Sequence, residues 1–213
     1  DIVEVKCDIN EPTVLYVYKT VVDNYVGKMS YFKVLSGKIT SDTTLYNTQK
    51  KKEEKIGKLF FLRGKKQIDT NEIIAGDIGC TAKLTVTETG DQLCAPDYPI
   101  EIEPMKFPRP VLSMAILPKS KGDEEKISSG LAKLLSEDKT FTIERNHETH
   151  ESVISGLGEQ HINVICSKLL SKFENLKIVK PENATTTIFY NDVAINVKPK
   201  LSVDDLMKMA SYI

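Results

Sequence analysis

The rhythm of apolar and polar positions changes once along this chain. Up to about residue 100, short runs rich in β-branched and aromatic side chains recur: residues 13–20 read Thr-Val-Leu-Tyr-Val-Tyr-Lys-Thr, and residues 29–35 read Met-Ser-Tyr-Phe-Lys-Val-Leu. Side chains of this kind fit a pleated, half-buried surface, and the runs predict strands. Further ones follow at residues 44–46, 55–63 and 78–84. Between them stand Gly27, Ser36-Gly37, Gly64, Ala75-Gly76-Asp77 and Thr89-Gly90-Asp91, turn formers at the spacing of a small sandwich or barrel. No helical period is long enough to compete. Residues 12–103 therefore predict one all-β barrel, inside a first domain of residues 1–106.

Pro104, Pro108 and Pro110 then fall close together. Each proline pushes the residue before it towards an extended conformation, so residues 104–110 predict a stiff connector and a domain boundary. Beyond it, residues 111–117 predict a strand and residues 123–136 an amphipathic helix with Ile127, Leu131, Leu134 and Leu135 on one face. Asp123, Glu124 and Glu125 sit in its first turn, where the helix dipole favours negative charge. Strands at 140–145 and 151–155, joined by a polar turn at 146–149, lead through Gly156-Leu157-Gly158 to a second helix. That helix carries Ile162, Ile165, Cys166, Leu169 and Phe173 on one face, and a last strand is expected at 176–179. The order β-α-β-β-α-β is the split βαβ arrangement, an α+β sandwich with two helices on one face of a four-stranded antiparallel sheet. It is assigned to residues 107–182. Residues 183–213 find no place in either domain: two strand-like runs around Asn191-Asp192 predict a hairpin, and residues 201–213 a helix capped by Ser202. This stretch is expected to be an appended element.

Composition adds limits. With 40% hydrophobic and 28% charged residues the chain is globular in type. No apolar run approaches the ~20 residues that cross a bilayer, and Asp1-Ile2-Val3-Glu4 lacks the opening of a signal peptide, so a cytoplasmic protein without membrane partners is expected. Twenty-nine basic against thirty acidic residues leave a net charge of −1, so any nucleic-acid contact has to come from a local patch. The residues available for one are the run Lys50-Lys51-Lys52-Glu53-Glu54-Lys55, the pair Lys65-Lys66, and Lys28, Lys33 and Arg63, provided that they converge on one rim. Plain solvation of exposed loops is the stronger competing explanation.

Little in the chain points to catalysis. Cys7, Cys80, Cys94 and Cys166 are scattered without a C-x-x-C pair, and buried reduced thiols are expected. His147, His150 and His161 lack an acidic partner at ligand spacing, so no metal site is expected. There is no phosphate-binding loop of either common type, and Ser155-Gly-Leu-Gly is not a nucleophile elbow. Gly156 and Gly158 before a helix offer free amides to an anion, although a simple strand-to-helix turn accounts for them better. His161 reads as a partly exposed residue of a first helical turn, or as an interface or small-molecule contact.

Several longer motifs carry a resemblance. Asn24-Tyr-Val-Gly-Lys-Met-Ser-Tyr-Phe-Lys-Val-Leu-Ser-Gly-Lys-Ile, Ala75-Gly-Asp-Ile and Thr89-Gly-Asp-Gln-Leu-Cys resemble the second domain of bacterial elongation factor G. Phe107-Pro-Arg-Pro-Val and Ile154-Ser-Gly-Leu-Gly-Glu-Gln-His-Ile-Asn-Val resemble the start and second-helix entrance of its third domain. The resemblance implies a translation-factor β-barrel followed by a ferredoxin-like βαββαβ sandwich. Members of this family are ribosome-dependent GTPases whose nucleotide-binding domain precedes the barrel, so the chain is expected to be a non-catalytic middle fragment. GTP and Mg²⁺ would belong to the parent's missing domain. Implied partners are the ribosome, through small-subunit rRNA and proteins, and the parent's own GTPase and distal domains, with the third domain as an interdomain relay during translocation. Lys28, Lys33, Lys51, Lys52, Arg63, Lys65 and Lys66 are then the candidate rRNA contacts. Pro108, Pro110, Gly156, Gly158 and His161 match the third-domain wall of the family's fusidic acid site. Leu157, Gln160, Ile162 and Lys168 depart from the usual residues there, which suits a divergent elongation-factor-G-like paralogue. The alternatives are a fragment of a ribosomal protection or elongation-factor-like protein, and a small-molecule module of the fusidic acid type.

Overall fold

Alternation along the first two strands decides which side chains turn inward. Strand β1 (Val14–Asp23) and strand β2 (Gly27–Ser36) pair antiparallel, and Leu15, Val17, Phe32 and Val34 are buried on one side. A register shift between Val17 and Lys19 interrupts the alternation and leaves both Tyr18 and Lys19 facing out. The chain continues through β3 (Lys38–Thr40), β4 (Thr44–Asn47), β5 (Lys52–Lys55), β6 (Leu59–Arg63), β7 (Lys66–Thr70), β8 (Glu72–Ile74), β9 (Ile78–Ala82) and β10 (Gln92–Cys94). Eight of these strands form one array in the order β5-β4-β10-β1-β2-β9-β6-β7, and β3 pairs with β8 in a separate ribbon. Leu15, Phe32, Ile39, Leu45, Leu59, Ile73 and Leu93, drawn from both halves of the array and from the ribbon, meet in a single buried cluster. A sheet whose distant strands share one interior has curled into a barrel.

The structure, a computed structural model, describes residues 4–23, 26–64, 66–118, 122–145 and 151–173, together with three short strands after residue 177. The barrel belongs to a first compact unit, Asp1–Lys106, and the remainder to a second, Phe107–Ile213. The run expected as one strand at 55–63 is two strands, broken at Ile56-Gly57-Lys58, where the Ile56 amide turns to the Thr43 carbonyl. None of the cysteines is in a disulfide; Cys80, Cys94 and Cys166 are buried, but Cys7 is exposed, because its N-terminal segment lies outside the barrel strands.

In the second unit, β11 (Leu112–Pro118), α1 (Glu124–Glu137), β12 (Thr142–Arg145), β13 (Ser152–Gly156), α2 (Glu159–Lys172) and β14 (Ile178–Val179) follow the order β-α-β-β-α-β. Their pairing, β14 to β11, β11 to β13 and β13 to β12, is antiparallel throughout. Ile127, Leu131 and Leu134 of α1 and Ile162, Ile165 and Leu169 of α2 recur at helical spacing and pack with Ile116, Phe141 and Ile154. This cluster shares no residue with the barrel core. The expected hairpin of the tail is present as β15 (Thr186–Tyr190) and β16 (Val193–Val197). It corrects the reading of residues 183–213 as an element without a place. Strand β15 pairs with the same edge of β11 that β14 uses further along, through Leu112 with Ile188 and Ser113 with Thr187, because β14 is short and leaves that edge free. The helix expected at 201–213 and the turn at 146–149 lie outside the described residues.

Candidate functional site

Part of the candidate charge on the barrel gathers at one loop, residues 85–88, beside the β4–β5 turn. Lys51 and Lys52 lie at the β4–β5 turn, closed by the pairing of Asn47 with Lys52, and are exposed. Lys28, on β2, donates from Nζ to the Thr87 carbonyl at 2.6 Å. Lys50 reaches the same loop through Glu88, Nζ to Oε2 at 3.1 Å, a contact that raises the lysine pKa. Met29, next to Lys28 but on the other face of β2, accepts from Gln67 Nε2 at 3.7 Å; the β6–β7 hairpin that carries exposed Arg63 and Lys66 is held there, and this contact does not bring those two residues to Lys28 or Lys50. Lys33 stands apart, opposite Ile78 further down β2. Lys65 is outside the described residues.

Sequence reasoning passes over a buried carboxylate beside these lysines. Glu54, inside the lysine-rich run, is only 3% exposed. Its Oε1 accepts from the Thr85 amide (2.7 Å) and hydroxyl (2.8 Å), and its Oε2 from the Val86 and Thr87 amides and the Thr87 hydroxyl, each at 2.9 Å. Burial alone pushes the carboxyl pKa up; the donors of Thr85, Val86 and Thr87 outweigh it and hold the group below the ordinary glutamate value. Asn47 extends the network from Nδ2 to the Thr87 hydroxyl (3.1 Å) and to Asp91 Oδ2 (3.0 Å), and its Oδ1 accepts the Lys50 amide at 2.9 Å. Buried polar groups satisfied this fully rigidify what they touch. The β4–β5 register explains the burial: Glu54 stands opposite Leu45, a member of the barrel core, and cross-strand partners share a face.

A second polar anchor, buried Gln92, donates from Nε2 to the Ile100 carbonyl and accepts the Ile102 amide on Oε1 at 2.6 Å. It pins Ile102 over an open apolar groove of about 410 Å³ on the barrel exterior, lined also by Tyr16, Tyr18, Lys33, Leu35 and Ile78.

In the second unit, Pro110, Gly156, Gly158 and His161 lie near one another, whereas Pro108 is tied to them only by sequence. Val111, next to Pro110, donates its amide to the Gly156 carbonyl at 2.9 Å, and Pro108 precedes it on the same exposed approach. Gly158 begins α2, its carbonyl accepting the Ile162 amide at 3.1 Å. The Leu157 amide donates to His161 Nδ1 at 3.1 Å. That bond leaves the proton on Nε2, which donates to Asp138 Oδ2 at 3.2 Å. Asp138 closes α1, and Thr140 donates to its Oδ1 from both amide (2.9 Å) and hydroxyl (2.5 Å). Burial raises the Asp138 pKa, but the Thr140 and His161 donors win and lower it. A Cβ on Gly156 would stand 3.0 Å from His161 Nδ1, so the glycine gives the ring its room. Among the described residues no group of three or more His, Cys, Asp or Glu is placed to hold a metal ion, and no helix is long and apolar enough to cross a membrane.

Comparison with known families matches both units. Residues 12–96 match the model of elongation factor G domain 2, and residues 107–180 match elongation factor G, domain III. The chain belongs to the elongation factor G family. The barrel and the split βαβ sandwich are therefore the second and third domains of an elongation-factor-G-like translation factor, in their family order. A crystal structure of a Thermus thermophilus protein is similar to the chain at 24% identity with a TM-score of 0.71, over 82% of this chain, which supports the fold. The chain spans 26% of that protein's length. In this elongation-factor-G-like chain the rim belongs to the first matched region, and the His161 wall to the second.

Proposed function

We propose that the chain serves as the part of a ribosome-dependent translational GTPase that docks on small-subunit RNA and relays conformational change between neighbouring domains. The observation that carries this reading is the joint one: two family regions in order, with lysines of the first gathered at one rim around a fixed loop. Lysine side chains on an otherwise balanced surface attract phosphate locally and with strong salt dependence. The two units keep separate cores on either side of a proline-rich segment, so their orientation can change without either core unfolding. GTP and Mg²⁺ belong, on this reading, to another domain of the longer protein, and the residues here contribute contacts and geometry rather than chemistry. The chain should sediment with purified ribosomes, and reversal of Lys51 and Lys52 to glutamate should abolish the association. Unchanged binding would reject the RNA-facing role.

The nearness of Pro110, Gly156, Gly158 and His161, with Pro108 just before them in sequence, favours a second role for the third domain, as one wall of a fusidic-acid-type site. Titration of fusidic acid against the chain alone should show negligible affinity if another domain supplies an essential wall. Tight binding would make the chain a small-molecule module in its own right.

A further inference from the structure

We propose that Glu54 is the positioning residue of the basic rim: from inside the barrel it fixes the 85–88 loop on which Lys28 and Lys50 are anchored. The inference rests on the rim reading above and adds to it the residue on which the rim depends. Three consecutive backbone amides, Thr85, Val86 and Thr87, and two hydroxyls point at one carboxylate. Consecutive amides aimed at one point form an anion-binding nest, and here the anion is supplied by the barrel's own edge strand. The loop then presents the Thr87 carbonyl to Lys28 and the Glu88 carboxylate to Lys50. The five donors to Glu54 all belong to the loop. The effect of Glu54 passes through the loop backbone: without the carboxylate, the three amides, of which that of Thr87 is buried, lose their acceptor and the loop has to open towards water.

Charge and position make opposite predictions, which gives the test its force. Glu54→Gln removes a negative charge near a phosphate-binding rim, so electrostatics alone predicts tighter binding to RNA. Loss of position predicts weaker binding. The measurement is the affinity of the full 213-residue chain for purified small ribosomal subunits at several salt concentrations. Glu54→Gln should bind about five- to tenfold more weakly, the equivalent of one or two lost phosphate contacts. Thr87→Val, which removes one hydroxyl donor and leaves the charge, should show a smaller loss of the same sign and serves if the first variant does not fold. Glu reversal of Lys51 and Lys52 in the parent chain, run alongside, tests the rim itself. No effect there sinks the rim reading, whereas an effect there with equal or tighter binding by Glu54→Gln overturns the positioning role alone. Amide exchange decides the positioning role independently of any ligand: it should quicken at residues 85–88 in both variants, with Phe32 and Leu45 unchanged, and unchanged protection of the loop overturns the proposal.

Discussion

Gly37, between β2 and β3, is the position where a single methyl group should do most damage to the barrel. Its φ is +69°, a left-handed conformation that costs an L-residue roughly 1–2 kcal/mol. A Cβ there would lie 2.6 Å from the Glu11 carbonyl oxygen, 2.7 Å from Thr13 Cα and 2.8 Å from Thr13 N. These are backbone atoms, and no rotamer relieves the clash. The segment before β1 has to move, and that segment is held by the Gly37 amide on the Asp8 carbonyl at 2.8 Å. The Gly37 carbonyl in turn accepts the Ala75 amide at 2.9 Å. Weakening these two bonds adds about 1 kcal/mol each, so Gly37→Ala should destabilise the barrel by about 3 kcal/mol. Urea-dependent amide exchange reads both units in one sample, with Leu15 and Phe32 reporting the barrel and Leu131 and Ile154 the second core. A loss below about 1 kcal/mol, or an equal loss in both units, would refute the reasoning about Gly37 and about separate cores.

Other expectations follow from the same contacts. The Glu54 carboxyl sits below its ordinary value when folded, so its contribution is present above the unfolded pKa and fades as pH falls through the folded one; acid titration of barrel stability should show this component in the parent chain and not in Glu54→Gln. Leu131→Ala removes a buried side chain from the helix-backed core and should cost about 2–5 kcal/mol there, with barrel exchange rates unchanged. Gly156→Ala should push the His161 ring off the Leu157 amide, and ¹⁵N shifts of the imidazole should report loss of the single Nε2–H tautomer. Thiol labelling of the folded chain should modify exposed Cys7 and spare Cys80, whose pKa burial pushes up to about 12, until urea unfolds the barrel.

The parts of the fold legible in the sequence are those in which one face of an element is strongly apolar. The β1–β2 hairpin announces itself through Leu15, Val17, Phe32 and Val34, and α1 through Ile127, Leu131 and Leu134. Strand β7, Lys-Gln-Ile-Asp-Thr, offers a single apolar residue, because it is an edge strand with little to bury. Strand β5 reads as a charged loop for the same reason, and Glu54 hides in it: a carboxylate in a lysine run looks solvated until pairing with β4 shows which face it occupies. The tail hairpin is visible as a hairpin, but its partner is not, since nothing local records how short β14 is beside β11. At the candidate sites, the glycines and His161 of the wall stand out in the sequence, whereas Asp138, which holds the histidine from the far end of α1, is brought there by the fold alone.

The claim on which the account turns is that this chain meets the ribosome as the corresponding domains of elongation factor G do. Competition measures it directly: the labelled chain, bound to purified ribosomes at low salt, is titrated with an intact elongation factor G. Saturable displacement, lost when the chain carries Lys51→Glu and Lys52→Glu, is the predicted result. Binding that the intact factor leaves untouched, or that survives the two reversals, would contradict it.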